Sequence, residues 1–107
     1  MRNPGILKER LVLEAPVDAA DDGGGAVRSY VAAAFVWAAV EPLEARADMA
    51  DAGAGAIARH RITVRSGPEI TTRHRLRRGS RVWRVVALRE ADGSGRFLTI
   101  EAEEHVD

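Results

Sequence analysis

The sequence contains no cysteine, which excludes disulfides, thiol nucleophiles and cysteine-ligated metal sites. Aromatic residues make up only 5% of the 107 residues. No apolar run reaches the length of a membrane-spanning helix, and Met1–Leu11 lacks the apolar stretch of a signal peptide, so we expect a cytoplasmic chain. The 16 basic and 16 acidic residues cancel, so net charge alone indicates no nucleic-acid or membrane partner. The length predicts a single domain over residues 1–107.

The charges are unevenly distributed along the chain. Ten arginines and one acidic residue, Glu69, lie between Arg59 and Arg89, whereas the remaining sequence is rich in acidic residues. Two interpretations follow from these opposite blocks. They pair within one fold, or an acidic face on one copy meets a basic face on the next, since complementary patches guide association.

Alternating apolar and polar residues predict β-strands joined by short turns. Strands are predicted over Leu7–Glu14, Phe35–Val40, Arg59–Arg65, Glu69–Leu76, Arg81–Arg89 and Arg96–Ala102. The first strand should end at Ala15-Pro16 and the second at Pro42, because proline cannot donate to a sheet ladder. The segment Tyr30–Ala34 fits helix or strand. The tail Glu103–Asp107 should be solvated. Turns are predicted at Arg78–Ser80 and Asp92–Gly95. The fold class is therefore all-β, a small antiparallel barrel or sandwich of about six strands, with one long, part-helical loop at Glu44–Ala58.

The strand at Phe35–Val40 is apolar on both faces. Phe35, Trp37 and Ala39 share one face, and alternate residues share the other. A strand of this kind is covered on both sides, so the sequence predicts either a barrel with a covered outer wall or a subunit contact. Trp37 and Trp83 are predicted to anchor the core. Leu7 is predicted to share a strand face with Leu11 and Leu13. Phe97 is the one aromatic residue that we expect to be exposed.

No catalytic or metal-binding motif is present. His60 and His74 fall on the apolar faces of their strands, which fits an acid–base or metal pair, or two structural histidines held by backbone groups. We favour the structural interpretation. The sequence therefore predicts neither an enzyme nor a cofactor.

Six arginines are predicted to project from one sheet face, as in oligonucleotide-binding barrels. They are Arg59, Arg61, Arg65, Arg73, Arg75 and Arg77. Such sites also need exposed aromatic residues for base stacking, and most of the aromatics look buried. An unrelated small β-barrel that binds nucleic acid is therefore the alternative function.

The order of several segments resembles the head–tail joining family of long-tailed bacteriophages, also called head-completion or stopper proteins, which occurs as well in prophages and gene transfer agents. The segments are G-I-L-x-x-R-L at Gly5–Leu11, a glycine-rich loop at Gly23–Gly25, V-W-A-A-V-E-P-L at Val36–Leu43, H-R-I-T-V-R at His60–Arg65, R-L-R-R-G-S-R-V-W-R-V at Arg75–Val85, and a last strand at Arg96–Glu103. Each segment is weak alone, and their combination carries the resemblance. Tyr30 and Trp83 depart from the family pattern, but both positions keep an aromatic residue.

The resemblance implies a small β-barrel that forms a ring below the portal and its adaptor in a phage or gene-transfer-agent particle, assembled in the bacterial cytoplasm. The ring, with six-fold symmetry favoured and twelve-fold possible, would extend and close the DNA channel and dock a tail terminator or tail tube protein. DNA would pass without sequence-specific binding. The implied gating loop includes Glu44, Asp48, Asp51, Gly53 and Gly55. The six arginines are the candidate subunit contacts.

Overall fold

A computed structural model describes residues 7–20, 23, 26–43 and 56–106. Within these residues the secondary structure consists of β-strands without a helix. The strands are β1 (Glu9–Ala20), β2 (Ala26–Pro42), β3 (Ala56–Arg65), β4 (Arg75–Arg78), β5 (Arg81–Glu90) and β6 (Phe97–Val106). All neighbours are antiparallel in the order β1-β2-β3-β6-β5-β4, and β4 pairs back onto β1 to close the ring. The predicted all-β fold class is confirmed, while most of the predicted part-helical loop lies outside the described residues.

The first two strands are longer than predicted. β1 continues through Pro16 to Ala20, and β2 begins at Ala26, so Tyr30–Ala34 is strand. The expected stop at Pro16 is wrong because β1 pairs with β4 only as far as Glu14. Beyond that residue one side of β1 has no neighbouring strand in the described chain, and an edge strand tolerates the missing N–H of proline. The two strands therefore extend past the barrel as a two-stranded ribbon.

Two other predicted segments are corrected. The strand expected at Glu69–Leu76 begins only at Arg75 and runs to Arg78 as β4. The residues before it form a turn in which the His74 N–H donates to the Thr71 carbonyl at 3.1 Å. The tail expected to be solvated continues β6 to Val106, paired along β3. The two predicted hairpin turns are confirmed, and Gly79 has the positive φ, 61°, that favours glycine.

The core lies inside the ring, centred on Trp83, which is fully buried. Its other members come from all six strands: Leu11, Leu13, Val36, Ala38, Ile62, Val64, Leu76, Val85, Ile100 and Ala102. The inward faces predicted for β3 and β6 are confirmed. On β5 a register shift between Val85 and Ala87 turns Leu88 toward the core in place of Ala87, since a bulge reverses the alternation beyond it.

A second, smaller cluster lies on the outer side of the sheet. It contains Leu7, Ala39 and Phe97, with Ala91 packed against it. Two predictions are therefore wrong: Leu7 is separate from the cluster of Leu11 and Leu13, and Phe97 is buried at 4% exposure. Alternation already points Phe97 outward, next to the inward Leu98. The segment leading into β1 brings Leu7 into the same cluster.

Candidate functional site

The candidate gating residues cannot be placed in the fold. Glu44, Asp48, Asp51, Gly53 and Gly55 lie outside the described residues. Their assignment to a channel loop stays a prediction from the sequence.

The six candidate arginines fall into two separate groups. Arg59, Arg61 and Arg65 belong to β3, whereas the other three lie in or just before β4. In the closed ring, β6 and β5 separate these strands on one side, and β2 and β1 separate them on the other. Alternation with the inward Ile62, Val64 and Leu76 puts the arginines of both strands on the outer face of the sheet, as predicted. Closure of the sheet puts β3 and β4 on opposite sides of the barrel, so these arginines do not form the continuous basic surface that an oligonucleotide-binding face needs.

The arginines of β4 hold the point where the ring closes. Arg75 and Arg77 each donate from Nε to the Glu14 carboxylate, at 2.7 and 2.8 Å. Glu14 is buried at 5% exposure. Burial by itself raises the pKa of Glu14, but the hydrogen bonds from Arg77 and Arg75 outweigh it and hold that pKa below its usual value. These contacts join β4 to β1, where the backbone ladder spans only three residue pairs.

Two of the other four candidate arginines also have acidic partners within the chain. Arg59 contacts Glu101 and Glu103 of β6 at 3.5 and 3.1 Å, and Arg73 contacts Asp18 at 3.5 Å. Pairing within one fold therefore accounts for much of the opposite charge of the two sequence blocks. Arg65 is exposed and lies over the Phe97 ring at 5.7 Å.

The two histidines do not form one site. His60 lies 6.1 Å from the Trp83 ring centre, and its Nε2 is 4.0 Å from Glu104. Burial lowers the pKa of His60, more than the nearby Glu104 raises it. His74 instead accepts a hydrogen bond at Nδ1 from the Thr71 backbone N–H at 3.1 Å. In the part of the chain that the structure describes, no cluster of three potential metal ligands occurs.

The outer face of β2 carries an exposed aromatic surface where the sequence predicts a core residue. Trp37 was predicted to anchor the core, but it is 57% exposed, and Phe35 is 60% exposed. Both alternate with the inward Val36 and Ala38, so they point away from the core. We call this surface, Phe35 with Trp37, the aromatic patch.

The surroundings of the aromatic patch are basic. The Arg10 guanidinium lies over the Phe35 ring at 4.2 Å, and Lys8 is exposed two residues before it. Beside the patch is a depression of about 400 Å³, lined by Leu7, Phe35, Val36, Trp37, Arg65, Ser66 and Pro68. Arg10, Lys8 and Arg65 have no carboxylate within ion-pair distance among the described residues. The patch is therefore apolar at its centre and positive at its rim.

The sequence did carry a signal for this surface. The two apolar faces of Phe35–Val40 predicted either a covered outer wall or a subunit contact. In the closed ring only one face of β2 reaches the core, and the outer cluster covers Ala39 but leaves Phe35 and Trp37 exposed. The covered outer wall is therefore wrong for Phe35 and Trp37, and the subunit contact stays a prediction.

A second depression, of about 440 Å³, lies where Tyr30 of the ribbon faces β4, β5 and β6, and three arginines line it. It is lined by Tyr30, Arg75, Ser80, Arg81, Val82, Arg84, Glu104 and His105. The Arg75 guanidinium lies 3.8 Å from the centre of the Tyr30 ring, and Arg81 is paired with Glu104 at 2.7 Å. Arg84 is exposed. Nothing in this depression resembles a catalytic constellation.

No helix in the described part of the chain has the length and apolarity that a membrane span needs.

Comparison with known proteins agrees with this architecture. The family profile of the phage head completion proteins matches residues 2–105. A chain in the virion of a native gene transfer agent particle has 30% sequence identity and a TM-score of 0.69, with 92% of this chain and 94% of that chain covered. The solution structure of protein SF1141 from Shigella flexneri 2a, at 21% identity, has a TM-score of 0.67 over 96% of each chain, which supports the fold alone. No protein of curated function matches the sequence. The profile match spans nearly the whole chain, and the chain therefore belongs to the phage head completion protein family.

Proposed function

We propose that this protein is a stopper subunit that forms a ring at the head–tail junction of a phage or gene-transfer-agent particle. The ring extends the DNA channel below the portal-bound adaptor, closes it and docks the tail. Membership of the head completion family supports a structural role in joining heads to tails. The observation that carries the proposal is the likeness to a chain of a gene-transfer-agent virion over nearly the full length of both chains.

The exposed surfaces of the barrel support assembly with other proteins. The aromatic patch places two large rings in solvent, whereas soluble monomers rarely expose contiguous apolar surface without using it for binding. The ribbon of β1 and β2 extends beyond the barrel, and a two-stranded ribbon is marginal in water unless something packs on it. In a head-to-tail ring each subunit presents two different surfaces to its neighbours, which fits a barrel with distinct features on its sides.

Subunit contacts are proposed to use the arginines that the fold leaves available. Arg61 and Arg65 lie on the outer side of β3, and Arg84 is exposed on β5. Arg75 and Arg77 are engaged by the buried Glu14, and Arg59 and Arg73 by other acidic residues of the chain. The proposed contact set therefore shifts from all six arginines toward those without a structural task.

The channel is proposed to be closed by the segment containing Glu44, Asp48 and Asp51. Acidic side chains facing a channel avoid binding the phosphates of the DNA, and a loop with two arrangements provides opening and closing. Deleting residues 48–55 should leave the barrel folded, as measured by circular dichroism, while packaged DNA leaks from heads that have no tail. Heads that keep their DNA with this deletion would remove the gating role.

The ring itself is tested by reconstitution. Heads filled with DNA are prepared without this protein, mixed with purified tails, and supplied with the purified chain. We expect joined particles only when the chain is added, and an averaged image of the junction should show a ring of its copies. Efficient joining in the absence of the chain, or a chain missing from the joined particles, would contradict the proposal.

Nucleic-acid binding as a separate function is not favoured. The family match excludes an unrelated module, and several arginines of the predicted basic face are neutralised by carboxylates. DNA is proposed to pass through the assembled ring without sequence-specific contacts.

A further inference from the structure

β2 has a free edge beside the aromatic patch. It pairs with β3 only from Ala38 to Pro42. β3 ends at Arg65 and the chain turns away at Ser66–Pro68. In the described part of the chain, no other strand and no loop backbone bonds to this side of Ala33–Trp37. Among residues 7–43 and 56–106 as far as the structure describes them, no strand therefore continues the β2–β3 pairing past Ala38.

The length of this free edge is set by the structure. At one end is the depression beside Phe35 and Trp37 where β3 stops. At the other end Ala33 is the extra residue of a bulge, since Leu13 pairs with Ala34 and Glu14 pairs with Ala32. A bulge interrupts regular pairing. The stretch from Ala33 to Trp37 is thus as long as a typical short strand.

The opposite edge of the ribbon is protected, and this one is not. On β1, the residues beyond the reach of β4 include Pro16 and Asp18, and Asp18 is held in ion pairs with Arg28 and Arg73. Prolines and charges are the features that keep edge strands from pairing with other chains. Residues 33–37 have neither. An unprotected apolar edge in a folded chain is a site prepared for strand addition.

We propose that this edge, together with the aromatic patch, binds an extended segment of another protein of the particle, added as a strand beside β2. The segment alternates apolar and acidic residues. Its apolar side chains pack on Phe35 and Trp37, and its carboxylates meet the positive rim formed by Lys8, Arg10 and Arg65. The inference builds on the proposed head–tail role by naming where a neighbouring protein is held.

The geometry favours a polypeptide strand over other occupants. Only a backbone with N–H and C=O groups at strand spacing satisfies the free edge of β2, whereas DNA would use the aromatic rings and cations but not the edge. Pairing of β2 with β2 of a second copy is two-fold symmetric and closes as a dimer. It would also bring two positive rims together, which costs free energy.

Site-specific cross-linking tests the occupant. The chain has no cysteine, so Ala33→Cys, at an exposed position, carries a single benzophenone label; Val17→Cys on the protected strand β1 is the matched control. Labelled full-length protein is assembled into particles and irradiated. We expect at least about a ten-fold excess of cross-links from position 33 over position 17, joined to an acidic, apolar segment of a different particle protein. Cross-links only to DNA, to a second copy or within the same chain, or none in particles that contain the protein, would overturn the inference. A chain absent from the particles would overturn it together with the proposed function.

Surface variants give an independent test. Phe35→Ser with Trp37→Ser removes the patch without touching the core, and Val86→Ser, at an exposed position on β5, is the control. The double variant should keep the circular dichroism spectrum of the folded barrel and join heads to tails at least about ten-fold less efficiently than the control. Arg10→Glu should reduce joining further in the same direction. Normal joining by the folded double variant would refute the docking site and leave the ring proposal standing.

Discussion

The contrast between the two tryptophans gives the sharpest test of the fold. Trp83 is fully buried at the centre of the core, with His60 at its edge and Arg81 over its ring at 4.6 Å. Trp37 is 57% exposed on the outer wall. The same substitution to alanine at the two positions therefore removes very different amounts of buried surface.

The expected magnitudes follow from those burials. A buried aromatic side chain removes roughly 150–250 Å² from water, which at about 25 cal/mol per Å² stabilises the fold by about 4–6 kcal/mol. Substitution with alanine leaves a cavity, and such changes cost about 3–5 kcal/mol. Trp83→Ala should therefore lower the free energy of unfolding by at least about 3 kcal/mol, which for a domain of this size lowers Tm by more than about 10 °C. Trp37→Ala should cost less than about 2 kcal/mol, because more than half of its surface is already in water.

A third variant separates packing from hydrogen bonding. Trp83 Nε1 is buried and has no hydrogen-bond partner among the described residues. Trp83→Phe keeps a large ring and removes this unsatisfied donor, so it should lose roughly half as much stability as Trp83→Ala, or less.

Urea and thermal unfolding followed by circular dichroism measure these differences, and fluorescence gives a second readout. In Trp83→Phe the remaining Trp37 should emit at the long wavelengths of an exposed indole, and in Trp37→Phe the remaining Trp83 should emit at shorter wavelengths. Equal losses of stability for the two alanine variants, or the reverse order of emission, would refute the assignment of the two faces of β2 and β5.

Three further predictions concern charge and assembly. Glu14→Gln weakens both arginine contacts at the ring closure and should lower the free energy of unfolding in urea by about 1–3 kcal/mol. Because the folded-state pKa of Glu14 is lowered, the ionised carboxylate stabilises the fold above the ordinary value of 4.5, and this stabilisation is lost as pH falls through the lower folded-state value. Glu14→Gln should therefore flatten the loss of stability in acid. Burial lowers the pKa of His60 below its ordinary value of 6.5, so the unfolded chain binds the proton first and Tm should fall as pH drops below 6.5. His60→Phe should reduce this fall in Tm, and a variant with the pH profile of the unchanged protein would contradict the role of His60. The isolated chain should sediment as a monomer at micromolar concentration, because small contacts between barrels must offset the lost translational and rotational freedom; a stable ring in dilute solution would contradict this.

Much of the barrel could be predicted from local patterns. Alternation identified the inward residues of β3 and β6. Gly79 marked the turn between β4 and β5, and Gly93 marked the turn between β5 and β6, because positive φ favours glycine. The opposite charge blocks are consistent with the pairing within the fold that Arg59, Arg75 and Arg77 show, but they do not identify the carboxylate that each arginine contacts. The strand faces and the turns depend on residues close together in the sequence, where side-chain period and backbone freedom act directly.

The errors occur where a residue's environment depends on distant parts of the chain. Pro16 lies inside a strand because β4 is too short to reach it, and the β5 bulge turns Leu88 inward in place of Ala87. Neither β4's length nor the bulge can be read from the residues on either side of the affected position.

The aromatic residues show the same division. Alternation along the sequence already shows that β2 has two apolar faces, because it assigns each residue to a side. Only the closed ring decided which side is the inside, so that Trp37 faces solvent while Phe97, on the outer side of β6, is covered together with Leu7. A strand pattern specifies two faces but not what lies against them, since burial is produced by contacts between segments that the sequence keeps far apart.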